Sequence, residues 1–244
     1  MRPLFVAVFF ACAVVFIACG GGDNGSGEPS PATTIDFAAE AQRLVVDAVF
    51  GAEDLPGYEQ TGDDGLPSQA SLSDECDIFD PDVVFPDAVA TADSGAYESA
   101  LDDQIFTLAA VYRSEDEAVA ALAATQDFIS LCEAEFEDAV EQLARDFLKS
   151  FGIDLGLFST IDVAIIGFDP PAVGDEIVGY RMHVNVNLVV TSRQYNLDAV
   201  VVREGRVVGA LIYGRFGEPD DGVLAELLRL MAGKLSAVNA SLPE

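Results

Sequence analysis

The chain is short of the residue types that carry most catalytic and nucleic-acid chemistry. Its 244 residues contain one histidine, His183, so a multi-histidine metal site is excluded and any Ser/His/Asp triad would have to run through that ring. Lysine and arginine number 12 against 42 aspartates and glutamates, a formal net charge of −30. Holding phosphates takes clustered cations that displace counterions, so nucleic acid and anionic lipid headgroups are poor partners. Long apolar runs are missing as well. The fifteen residues Leu4–Ala18 come nearest, and a spanning helix needs about 18–20. The G-x-x-x-x-G-K-[ST] phosphate loop, the G-x-S-x-G nucleophile elbow and the D-x-[DN]-x-[DN]-G calcium loop are absent. On these grounds no catalytic residue, metal ligand or cofactor is assigned.

The apolar run reads instead as an export signal. Met1 and Arg2 precede it, and after Ala18 the composition switches to CGGGDNGSGEPSPATT. A charged start, an apolar stretch and a small residue before a cut site therefore occur in order. Phe16-Ile17-Ala18-Cys19-Gly20 resembles the bacterial lipobox, with Phe16 where Leu is most often found. The resemblance implies that residues 1–18 are removed and that Cys19 carries a lipid, which would hold the chain to the extracytoplasmic face of the cell membrane. An ordinary secretory signal with a coincidental Cys19 is the alternative. Removal of residues 1–18 leaves 11 basic residues against 42 acidic ones, a charge near −31. Such a surface favours solubility and repels polyanions.

Of four cysteines, Cys12 leaves with the signal and Cys19 takes the lipid, so Cys76 and Cys132 remain. In an oxidising compartment two thiols most simply form one disulfide. Closing that loop would stabilise the fold by about 4 kcal/mol. A catalytic cysteine would want a nearby histidine. Residues 19–34 are rich in Gly, Ser, Pro and Asp and read as a flexible tether. Residues 35–240 read as one folded domain, because half of all residues are apolar and a chain of roughly 225 residues can bury a sizeable core.

Within that domain, Phe37, Ala41, Leu44, Val45 and Ala48 recur at helical spacing after the N-cap types Thr33 and Thr34, and the helix ends near Gly51. Residues 52–86 read as loops around a short strand near Tyr58. Strands follow at Ala88–Ala92, Ala96–Ser99 and Gln104–Arg113. Ser114 and Glu117 form a capping box for a helix with Ala118, Ala121, Leu122, Thr125, Ile129 and Cys132 on one face. A second helical pattern runs through Phe136, Val140, Leu143, Phe147 and Leu148 to Gly152. The period then becomes two, giving strands at Thr160–Phe168, Glu176–Thr191, Tyr195–Glu204 and Arg206–Phe216, with turns at Ser192-Arg193-Gln194 and Glu204-Gly205. A last helix spans Asp220–Asn239. Runs of strands segregated from helices predict an α+β domain, an antiparallel sheet with helices packed on it.

Two patterns in the strands bear on function. Arg181, His183, Asn185 and Asn187 alternate with Met182, Val184, Val186 and Leu188, so the polar residues share one face. They are the ligand-binding candidates, and a solvated sheet face is the other reading. Elsewhere alternation fails, as in Ala199-Val200-Val201-Val202 and Val207-Val208-Gly209-Ala210. Both faces of those strands must then be dry, under helices on either side or around an apolar cavity. Acidic clusters at Asp63-Asp64 and at Asp74, Glu75, Asp77, Asp80 and Asp82 could offer oxygens to calcium, although a chain with 42 acids makes such clusters by chance.

Asp54-Leu55-Pro56, the QIFTLAAVYR strand leading into Ser114-Glu115-Asp116-Glu117-Ala118, Cys132, Val173-Gly174-Asp175-Glu176 and Val202-Arg203-Glu204-Gly205 together resemble the extracellular sensor-like domain of actinobacterial Ser/Thr kinases and related lipoproteins. The resemblance covers about residues 35–240. It implies a ligand-binding or sensing module and supplies no catalytic residues. Members typically carry two disulfides, and here Cys76 and Cys132 allow one. The expectation is therefore a lipid-anchored, non-catalytic domain that binds an unknown small molecule or protein. The alternatives are a carrier of a lipid in an apolar cavity of several hundred Å³ and, more distantly, a hydrolase using His183.

Overall fold

The computed structural model describes residues 36–61, 73, 75–150, 160–188 and 191–244. Cys19, the export signal, the tether, Thr33, Thr34, Asp63, Asp64 and Asp74 lie outside them. The described chain runs α1 (Phe37–Val45), β1 (Tyr58–Gln60), α2 (Pro81–Val84), β2 (Ala90–Asp93), β3 (Tyr97–Ser99), β4 (Gln104–Val111), α3 (Glu115–Ser150), β5 (Thr160–Phe168), β6 (Glu176–Leu188), β7 (Thr191–Glu204), β8 (Val207–Phe216) and α4 (Asp221–Ser241). The strands form one antiparallel sheet in the order β1-β3-β4-β8-β7-β6-β5, with β2 also paired to β4. This is the α+β arrangement expected, an antiparallel sheet carrying helices on both faces.

Local chemistry explains most of the boundaries. Asp36 caps α1, its carboxylate accepting from the amides of Ala38 and Ala39, so the helix starts there and not at Thr33 or Thr34. Ser114 accepts from the Glu117 amide at 3.2 Å, and Glu117 reaches back to the Arg113 amide at 2.9 Å. That is the capping box, shifted by one residue on its return arm. The two helical patterns after it are one continuous helix, α3, because no glycine or proline interrupts residues 115–150. Asp80 and Pro81 start the four-residue α2, too short to show periodicity in the sequence.

The β6–β7 register pairs Leu188 with Thr191, Asn187 with Ser192 and Asn185 with Gln194. Ser192, Arg193 and Gln194 are thus part of β7, not the turn the sequence suggested. The Glu204-Gly205 turn does join β7 to β8. Gly205 has φ +57°, which favours glycine, and a Cβ there would lie 2.3 Å from Asn239 Nδ2 and so displace that side chain.

One face of the sheet is covered by α1 and α4. Leu44, Val45, Phe50, Leu211, Leu224, Leu228, Met231 and Leu235 meet there. The other face carries α2 and α3, with Phe85, Phe106, Leu108, Leu122, Val201 and Ile212 between. Each such side chain contributes about 1.5–3 kcal/mol when fully buried. Toward β5 and β6 the second layer continues through Phe136, Met182 and Val184 around a disulfide between Cys76 and Cys132, with S–S 2.01 Å and Cα–Cα 5.8 Å. The unalternating valines of β7 and β8 are dry on both faces because helices lie on each side.

Candidate functional site

The period-two reading of β6 places Arg181, His183, Asn185 and Asn187 on the face of the sheet that α4 shares. Their neighbours across the ladder are Asp198, Asn196, Gln194 and Ser192 on β7, and Ile166, Ala164, Asp162 and Thr160 on β5. α4 lies over β8 and β7. Thr160, Asp162, Ala164, Ile166 and Asn187 on the outer strands are exposed, whereas Asn196 and Asp198 are buried and His183, Asn185 and Gln194 are half-buried. The row is therefore graded, wet at β5 and dry at β7.

Arg181 is committed to protein carboxylates. Nε and Nη2 donate to Asp198 at 2.5 and 2.9 Å, and Nη2 also reaches Asp221 at 2.9 Å. Its guanidinium stacks 4.6 Å above the Phe168 ring. The Asp198 carboxylate raises its pKa further above the ordinary arginine value, with Asp221 adding to the effect, so this charge is permanent. His183 Nδ1 lies 2.5 Å from Asn196 Oδ1. Gln194 also donates to that oxygen, at 3.3 Å, and Asn196 Nδ2 donates to the Gly217 carbonyl at 2.5 Å. With Asn196 Oδ1 as the acceptor, the network assigns a proton to Nδ1. Asn187 donates to Asp162 at 3.0 Å. Among the described residues His183 bonds neither a hydroxyl nor a carboxylate, so the dyad a hydrolase would need is not assembled there.

Gln194, Asn196 and Asp198 were missed by sequence reasoning. Their alternation with Tyr195, Leu197 and Ala199 carries the signal, but a turn placed at 192–194 conceals where the polar face of β7 begins.

The acidic residues near Cys76 have local tasks. Asp77 caps the Phe79 amide, Asp80 caps the Asp82 amide, and Asp82 accepts from the Thr91 hydroxyl, all at 2.9–3.0 Å. Among the described residues no group of three or more His, Cys, Asp or Glu is placed to hold a metal. No described helix is long and apolar enough to cross a membrane.

Opposite the polar row, between α3 and the sheet, lies an apolar cavity of about 50 Å³ lined by Ile78, Phe128, Phe136, Ile165, Met182 and Leu197 among others. Pockets for small ligands are roughly 300–1,000 Å³, so a lipid chain does not fit this one as it stands.

No family model matches the chain, and no curated protein matches it. Among solved structures it is similar to the extracellular domain of PknH from Mycobacterium tuberculosis, with a TM-score of 0.43 and 9% identity over 82% of this chain and 97% of that one.

Proposed function

We propose that this protein is a lipid-anchored extracytoplasmic lipoprotein whose domain binds or senses a ligand and catalyses no reaction on it. The observation that carries the reading is the graded polar row. His183, Asn185 and Gln194 are half-buried on a sheet face where the neighbouring β5 residues are exposed. Half-buried groups of this kind fix a ligand's orientation because each loses little water before it gains a partner. A small cavity and a histidine without a nucleophile beside it favour binding over transport or hydrolysis. The net charge of −30 favours neutral or cationic molecules over polyanions.

Native mass spectrometry of the full chain, exported from a bacterial host, tests this. A companion mass that disappears in His183→Ala and Asn185→Ala supports the polar row. An apolar companion that survives both substitutions would shift the function to the cavity under α3. For the anchor, Cys19→Ala is expected to remove the lipid mass and release the chain from the membrane fraction, and retention there would overturn it.

A further inference from the structure

The dry end of the polar row is covered by the connection from β8 to α4, Gly217-Glu218-Pro219-Asp220, together with the first two residues of α4, Asp221 and Gly222. Asn196 and Asp198 beneath it are 1% and 2% exposed, although the same face is open at β5. The connection holds no fully buried apolar side chain, and its fastenings are polar. Asn196 Nδ2 donates to the Gly217 carbonyl, the Gly217 amide donates to the Gln194 carbonyl at 2.9 Å, and Arg181 donates to Asp221. Arg215 pairs with Asp220 at 3.0 Å. Glycines stand at both ends, Gly217 at φ +89°, and the Asp221 side chain is 75% exposed.

We propose that residues 217–221 act as a strap that fills the inner half of the polar row as an internal ligand, and that the row takes in its place a peptide-like molecule carrying an amide carbonyl and a carboxylate. This rests on the binding reading above and names the ligand chemistry of that site. Lifting the strap vacates two donors on adjacent strands, Asn196 Nδ2 and Arg181 Nη2. One was satisfied by a peptide carbonyl and the other by a carboxylate. Asn196 Nδ2 then lacks an acceptor, which is costly for a buried donor. Arg181 Nη2 keeps Asp198 but has a second hydrogen to offer, so a molecule bringing a carbonyl and a carboxylate fits both positions. Asp198 and Phe168 hold the guanidinium in place throughout. Because a ligand carboxylate replaces that of Asp221 one for one, the exchange adds no charge to the site despite the acidity of the chain.

Two measurements on the full chain decide it. The first needs no ligand. In hydrogen exchange, the amides of residues 217–222 are expected to exchange about two- to fivefold faster in Asp221→Ala than in the wild type, the size of one exposed ion pair, while those of β7 stay unchanged. The second uses a probe with one amide carbonyl and one carboxylate, acetyl-glycine, at raised salt. It is expected to bind Asp221→Ala more tightly than the wild type by the same factor and to shift the side-chain NMR signals of Asn196 and Arg181. Equal exchange in the two proteins, equal binding, or shifts confined to other residues would overturn the strap. In that event the binding reading would still stand or fall on the companion mass and its loss in His183→Ala.

Discussion

Two arginines sit in the sheet with their charge turned inward. Arg203, 8% exposed, is held by Asp175, Glu176 and the Gly205 carbonyl at 3.1–3.2 Å. Arg181 is held by Asp198 and Asp221. Such pairs gain little over apolar residues of the same shape, but removing one partner strands a charge. Asp198→Ala is expected to destabilise the domain by about 3–5 kcal/mol in urea unfolding, since Asp221 alone, exposed to water, replaces little of the lost interaction. A change below 1 kcal/mol would mean that Arg181 finds water or another acceptor. The tyrosines make a second prediction. Burial pushes the phenols of Tyr112, Tyr195 and Tyr213 above the ordinary value of 10.0. Each holds its proton more tightly folded than unfolded, so its contribution is intact below about pH 10 and is lost as pH rises from there through the folded values. Melting temperature is therefore expected to fall steadily above pH 10, and tyrosinate absorbance should appear together with unfolding, not before it.

At the scale of elements, α3 depends on tertiary contacts. It is 36 residues long and is tied near its middle to the segment before α2 by Cys76–Cys132, a sequence separation of 56. Replacing both cysteines with serine is expected to lower stability by about 4 kcal/mol, read as a lower urea midpoint in the variant than in the oxidised wild type. An unchanged midpoint would show that Phe136, Met182 and their neighbours pin the helix unaided. The strands β5, β6 and β8 were legible because period-two alternation and the Gly205 turn mark them. The β6–β7 connection was not, because Ser192, Arg193 and Gln194 have turn-like composition while the cross-strand register makes them strand. Asn196 and Asp198 were lost with it, so half of the candidate site could not be read. α2 escaped because four residues cannot display a helical period.

At the scale of the whole molecule, charge dominates. With a net −30, repulsion among surface carboxylates opposes the compact state. Screening shortens from about 10 Å at 0.1 M salt to about 3 Å at 1 M. Exposed pairs such as Arg43–Glu40 weaken with salt too, but solvent already screens them, and the carboxylate excess outweighs them. Melting temperature is expected to rise between 0.05 and 1 M sodium chloride, and a fall would show that the ion pairs matter more than the net charge. The sequence alone determined the acidic balance, the α+β class and which residues of β6 share a face, since composition and period are local properties of the chain. Which partners meet that face was decided only by the tertiary structure. Register, the lie of α4 and the turn at Gly217 are set by contacts between segments far apart in sequence, and these bring Asn196, Asp198 and Asp221 to His183 and Arg181.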